Sequence, residues 1–358
     1  MSKRLPRLFL YRIIHVMILS GLYSFITSGC STYPLDTSGR DLLELESVWQ
    51  YLETYSIWQD KVPQERNALE SFQTPEALLS SVADTFHGIN YTTYDSAHLP
   101  VGGRLSAIAA GAPDTTVYWL ALTDSTAVLK ITEFKQDTTY PAFLGVLPLL
   151  VQYANIIVDL RDNGGGDINA VDSIMEYFLP VNTPYIQAMY RKYDESTRRA
   201  QTVPWDTLKT LHGHGLSLAG KRLAVLVNGG SASASEILTA GLKDGRAGAA
   251  GGDTVALVGE TTYGKGIGQI IISRAYLGKR DIKITFLRLR GISSRIGDYH
   301  RKGITPDIQV AGPLAQLSTA LHLLEPSAPL LKTAVTTVAG NAAAEGYIKV
   351  PANPAFEK

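Results

Sequence analysis

The sequence predicts an α/β core preceded by a small N-terminal helical domain. Three features carry that expectation. Strand-like apolar runs alternate with stretches of helical period between residues 117 and 325. Two of the runs, Asn155 to Leu160 and Ala224 to Val227, are almost continuously apolar, as strands buried on both faces are. Before residue 100 the apolar side chains recur instead at helical spacing.

Taken in order, apolar residues at Leu43, Val48, Leu52 and Tyr55 predict a helix over 42–58, and Leu78, Leu79, Val82 and Phe86 a second over 75–86. With a polar tether at 31–40, these make the N-terminal domain, 31–100. Val117 to Leu122 and Ser125 to Ile131 suit a hairpin turning at Thr123-Asp124. A helix over 141–153 follows, then the 155–160 strand, the glycine turn Gly164-Gly165-Gly166 and a helix over 171–178. The segment 181–220 is mixed, with a charged, solvated stretch from Arg191 to Arg199. The Ala224 strand leads through Asn228-Gly-Gly230 into Ser231-Ala-Ser-Ala-Ser-Glu236 and a helix. Strands follow at 255–258, 270–274 and 281–289, and an amphipathic helix at 314–324. Residues 326–358 read as a loosely held tail.

Hydrophobic residues make up 45% of the 358 and charged residues 18%, which excludes a disordered chain. The first thirty residues hold Lys3, Arg4, Arg7 and Arg12 and no acid, so the remainder carries an excess of four acidic residues. That balance argues against nucleic acid as a partner. The basic start precedes an apolar run from Ile13 to Ile26, too short to span a bilayer and suited to a signal peptide over 1–30. It ends at Thr27-Ser-Gly-Cys30, and Cys30 is the chain's one cysteine. A lone cysteine after small residues at that place resembles a bacterial lipoprotein site, which implies export to the cell envelope and a membrane anchor through lipid on Cys30. Thr27 stands where leucine is usual.

Ser233 and Lys265 are the candidate nucleophile and base. A serine hydroxyl needs a base to take its proton, and a lysine serves only if its pKa falls from its usual value through burial. Lys265 lies between Gly264 and Gly266, whose backbones bend freely. Gln269, four residues on, would orient the amine without adding a charge. The Ala234 N–H and an N–H of the 164–166 turn would stabilise an oxyanion. None of the seven histidines sits in such a turn, and His212-Gly-His214 lacks further ligands nearby, so neither metal nor cofactor is expected. Each feature also has a plain structural meaning. Ser233-x-x-Glu236 fits a helix capping box, the glycines a tight turn, and Lys265 a surface hairpin.

Four ordered motifs resemble the carboxyl-terminal processing (tail-specific) serine peptidases: Asp159-Leu-Arg-Asp-Asn-Gly-Gly-Gly166, Val225 to Glu236, Val258 to Gln269, and Gly303-Ile-Thr-Pro-Asp307. The resemblance covers roughly 117–325. It implies a fold related to Clp protease and crotonase and a Ser–Lys dyad of Ser233 and Lys265. It also implies Gln269 as the orienting residue, and oxyanion donors at Ala234 and at Gly165 or Gly166. The expected activity is a serine endopeptidase acting on protein or peptide substrates through an acyl-enzyme. Residues 91–125 are too short for the PDZ domain many members carry there. A Gly/Ala-rich insertion around 246–253 lengthens the path from Ser233 to Lys265. Alternatives are a catalytically silent peptide-binding scaffold, or an acyl-CoA enzyme on the same fold.

Overall fold

The computed structural model describes residues 42–94 except 88, 116–194, 196–197, 199–248, 255–272, 281–328 and 348–349. The expected leader with Cys30, the tether, the core of the 246–253 insertion and most of the tail lie outside the described residues. The chain divides into two compact units. One comprises Met1–Leu99, Ala188–Asp206 and Ile267–Arg288, the other Pro100–Gln187, Thr207–Gly266 and Leu289–Lys358. No helix among the described residues is long and apolar enough to cross a membrane.

The described elements begin with α1 (Leu42–Tyr55), α2 (Pro75–Ser81) and the short strands β1 (Thr85–Phe86), β2 (Ile89–Asn90) and β3 (Thr93–Tyr94). Next come β4 (Val117–Ala121), β5 (Thr126–Ile131), α3 (Thr139–Leu150), β6 (Asn155–Asp159) and α4 (Ile168–Phe178). Then follow β7 (Pro184–Asp194), β8 (Arg199–Lys209), β9 (Arg222–Val227), α5 (Ala234–Ala247) and β10 (Ala256–Gly259). The last are β11 (Ile267–Ile272), β12 (Ile282–Arg290), β13 (Ile308–Gln309), α6 (Pro313–Leu324) and β14 (Ile348–Lys349).

In the first unit, α1 and α2 share one apolar core with the sheet strands. Leu45, Val48, Leu52, Leu78 and Val82 pack with Ile272, Ile282 and Ile284. The helical N-terminal stretch is thus completed by strands from nearly two hundred residues later. Helix α2 starts where Thr74 Oγ1 accepts the Ala77 N–H at 3.2 Å. It ends at Ser81 rather than Phe86, because the chain turns at His87 (φ 49°) and pairs Phe86 with Ile89. Segment 181–220, expected to be mixed with a solvated stretch from Arg191 to Arg199, instead supplies the eleven-residue strands β7 and β8. Arg191 is buried there and donates to Glu53 O at 2.6 Å. The sheet runs β11-β12-β7-β8, with β3 also on β12.

The second unit is an α/β layer structure. Its sheet runs β13-β10-β9-β6-β5-β4-β14, parallel from β13 to β5 and antiparallel at β4 and β14. All of β6 is buried, which requires cover on both faces. Ile157, Ala224, Leu226 and Val258 pack on Leu317, Ala320, Leu321 and Leu324 of α6. On the other face α3, α4 and α5 lie in a row, α3 against β4 and β5 and α5 against β10. The β4–β5 connection spans Leu122–Ser125, longer than the two-residue turn expected. Within the expected tail, Ile348–Lys349 pairs with β4 as an edge strand.

Buried Asp159, at the end of β6, ties these layers. Lys130 Nζ of β5 lies 3.3 Å away and Arg161 Nη2 2.6 Å away. Arg161 Nη1 continues to Pro313 O (2.9 Å) and Gln316 Oε1 (3.3 Å) at the start of α6. Burial alone would raise the Asp159 pKa, but the two cations and the Arg161 hydrogen bonds hold it well below the usual carboxylate range.

Candidate active site

Beyond the carboxyl ends of parallel strands the backbone must leave the sheet, and ligand sites of α/β folds gather there. Three such ends meet here: 160–167 after β6, 228–233 after β9 and 260–266 after β10. Asn163 and Ser231 fasten the first two together. Asn163 is fully buried, and its carbonyl accepts the Ala232 N–H at 2.9 Å and the Ser235 hydroxyl at 2.8 Å. Ser231 Oγ donates to Leu160 O at 2.8 Å and accepts the Asn228 N–H at 3.0 Å. Two of the three serines in the run are therefore committed to holding loops in place.

The third, Ser233, is different in two ways. Among residues 231–236 it alone is not buried. Its backbone lies at φ 55°, ψ −114°, a region that side chains other than glycine's enter at a cost of about 1–3 kcal/mol. Strain of this kind persists only where the surroundings impose it. Here they do: Ala232 is pinned by Asn163, and Ser233 is the N-cap of the 14-residue α5. The helix N-terminus lends positive potential to the space before it.

Gly165 closes against this turn. At φ 103° a Cβ on it would lie 2.7 Å from both Ala232 O and Ser233 Cβ and 2.9 Å from Ala234 N. Only glycine fits both the dihedral and the space. Its N–H, however, donates to Asn163 Oδ1 at 2.9 Å. Gly166 is exposed, at φ 138°. Phe134 bridges this turn through the Gly165 carbonyl (2.9 Å) and the Asp167 N–H (2.8 Å), so the Gly166 N–H takes no part in the bridge.

The third loop carries Lys265. Thr262 and Ile304 bond reciprocally, with Ile304 N–H on Thr262 Oγ1 at 2.7 Å and Thr262 N–H on Ile304 O at 3.2 Å. Tyr263 N–H donates to Ser231 O at 2.9 Å. Gly264, at φ 91°, leaves no room for a Cβ beside Gly303 N, 2.8 Å away. The Gly303 to Asp307 motif thus packs on the lysine loop.

A fourth residue, which sequence reasoning took only for a helix cap, joins the second loop to the third. Glu236 is fully buried on the first turn of α5. Its Oε2 accepts the Ser233 N–H at 3.0 Å and the Lys265 N–H at 2.7 Å. Its Oε1 accepts the Thr262 hydroxyl at 2.6 Å and the Gly264 N–H at 2.7 Å. Burial pushes its pKa up to about 7, against the pull of the four donors. The nearby phenol of Tyr299 is pushed well above its usual value by its own burial, by Glu236 and by Asp298. The capping-box spacing was the available signal for Glu236; the reach to residues 262–265 was not visible in it.

Gln269 belongs to the other unit. It sits at a register shift between β11 and β12, opposite Thr285, and its Nε2 donates to Tyr91 O. His212 and His214 lie elsewhere in the larger unit, with His212 Nδ1 3.4 Å from Glu176 Oε2. Among the described residues no group of three or more His, Cys, Asp or Glu side chains is placed to hold a metal ion.

A half-buried serine in a strained turn at a helix mouth, faced by a glycine turn and tied to a lysine loop, is the outline of an acyl-transfer site. Residues 125–310, more than half of the chain, match the model of peptidase family S41, a family of serine peptidases to which the chain therefore belongs. It is 30% identical over 171 residues to the carboxy-terminal processing protease CtpB of Bacillus subtilis, covering 48% of this chain and 31% of that one. To a carboxyl-terminal-processing protease of Synechocystis it is 32% identical over 158 residues, covering 44% and 31%. In both alignments the match spans about a third of the relative's length. A lipoprotein from Streptococcus agalactiae shares the fold with a TM-score of 0.52 at 14% identity, over 82% of this chain and 99% of that one.

Proposed function

We propose that the chain is a serine endopeptidase of the cell envelope that works through an acyl-enzyme on Ser233. The observation that carries this reading is the strained, solvent-reaching Ser233, whose backbone N–H shares one Glu236 oxygen with that of Lys265. Ser233 Oγ attacks the scissile carbonyl carbon, and its proton passes to the neutral Lys265 amine. The tetrahedral oxyanion is received by the N–H groups of Ala234 and Gly166, the Gly165 N–H being engaged by Asn163. As the C–N bond breaks, Lys265 returns the proton to the leaving amine. Water then attacks the ester, Lys265 takes a proton from it, and Ser233 leaves with its hydroxyl restored.

Substrates are proteins or peptides, and the chain is exported and held at a membrane by lipid on Cys30. Purified Ser233→Ala and Lys265→Ala variants should each lose at least about 10³-fold in cleavage of an unstructured protein such as β-casein. Folding should be unchanged by circular dichroism, and wild-type rates in either variant would reject the dyad. For the anchor, cells fed labelled palmitate should label the wild type and not Cys30→Ala; equal labelling would remove Cys30 from the account.

A further inference from the structure

We propose that Glu236 is a positioning residue that sets the approach of base to nucleophile, with the Thr262 hydroxyl as its second anchor. This rests on the Ser233–Lys265 reading above and adds a residue to it. The two loops that carry the dyad start from different strands, β9 and β10, and are separated by the whole of α5. Something must fix one against the other to within a fraction of an ångström if proton transfer is to be efficient.

The Tyr263 N–H on Ser231 O joins the two loops once, and Glu236 bonds to the N–H groups of the two dyad residues themselves. A single oxygen, Oε2, receives the N–H of Ser233 and the N–H of Lys265, so the path from one backbone to the other is two hydrogen bonds long. The other oxygen receives Gly264, which precedes the lysine, and Thr262. All four partners donate. The three backbone groups have no choice, and the Thr262 oxygen already accepts from Ile304, so its proton points at the carboxylate. A group met by donors at both oxygens is a pure acceptor, and that is the carboxylate once its proton has left, from a pH of about 7 upward. Buried carboxylates bound by several N–H groups hold their geometry tightly, because each donor left facing a non-acceptor loses its only partner.

The same bond also holds Ser233 in its strained conformation, since it fixes the N–H on the near side of the φ rotation. A plain helix cap would need only the Ser233 contact. The bonds to Thr262, Gly264 and Lys265 add nothing to capping α5, and they are the ones that reach the base. The position of Glu236 in the first turn of α5 makes the helix the rigid mount for both loops.

Glu236→Gln keeps the shape but replaces one acceptor oxygen with a donating NH₂, whichever way the amide turns. The NH₂ then faces either the Ser233 and Lys265 N–H groups or the Gly264 N–H and the Thr262 hydroxyl. With β-casein as substrate and the full chain as enzyme, kcat should fall about 10²-fold while KM changes less than about 3-fold. Hydrogen exchange at the Ser233 and Lys265 amides should quicken together, and this readout is independent of whether those residues perform the chemistry. Thr262→Val, which removes only the hydroxyl anchor, should lower kcat about 10-fold, and Thr262→Ser should restore it. Should Glu236→Gln fail to fold, the Thr262 pair decides. Unchanged kcat in Thr262→Val, or unchanged amide exchange in a folded Glu236→Gln, would overturn the proposal. Activity in Ser233→Ala would instead overturn the dyad and leave the exchange result standing.

Discussion

At Ser233 the demands of the fold and of the chemistry point in opposite directions. A residue at φ 55° would be more comfortable as glycine, and a helix N-cap loses only a few tenths of a kcal/mol on going from serine to glycine. Alanine relieves none of the backbone strain and also removes the hydroxyl. Ser233→Gly should therefore be more stable than Ser233→Ala by about 1 kcal/mol, the strain relief less the extra freedom glycine gains in the unfolded chain. Both should be inactive. Urea unfolding of the two variants measures the difference, and equal midpoints would mean that the turn is not strained in solution. The neighbouring serines respond to different needs. Ser231 and Ser235 are buried and each donates to a backbone carbonyl of the 160–163 segment, so their loss would loosen the scaffold rather than remove a reacting atom.

At the scale of elements, the legible parts are those whose burial is written locally. Strands β6 and β9 are recognisable because both faces are covered and nearly every position is apolar. Helix α5 announces its start through Ser233 and Glu236, three residues apart. The strands β7 and β8 are hidden because neither is covered like a core strand: β7 mixes buried with half-buried positions and β8 half-buried with exposed ones. Tyr190, Arg191, Lys192 and Tyr193 then read as a solvated charged stretch. Arg191 is buried because a carbonyl from α1, 138 residues earlier, receives its guanidinium. The site follows the same rule. Candidate residues can be chosen from glycine turns and hydroxyls in one stretch of chain. The grip of Asn163 on 232–235 and the grip of Glu236 on 262–265 depend on which strand ends lie side by side, and the order β10-β9-β6 is set by parallel crossovers. The strain at Ser233 is likewise imposed by those contacts, since nothing in the local composition favours a left-handed serine.

For the molecule as a whole, pH should act on stability through two buried carboxylates of opposite sign. The folded pKa of Glu236 is raised to about 7 from the usual 4.5, so its contribution is present below 4.5 and is lost as pH rises to about 7. Asp159 is held below its usual 3.8, so its contribution is present above that value and is lost as pH falls toward the folded value. The Asp159 network spans β5, β6 and α6, and it buries Lys130 and Arg161 almost completely. Asp159→Asn leaves both cations without their counter-charge, a change that costs about 3–5 kcal/mol in buried pairs. The gap between wild type and Asp159→Asn should be widest at neutral pH and should narrow as pH drops below 3.8, where Asp159 of the unfolded chain takes up its proton while the folded carboxylate keeps its charge. The downward slope of stability between pH 4.5 and 7 belongs to Glu236 and should persist in the variant. Denaturant midpoints measured across pH 2.5–8 test both limbs at once. A gap that stayed constant into acid would show that Asp159 acts through packing alone and that its charge is not what binds the sheet to α6.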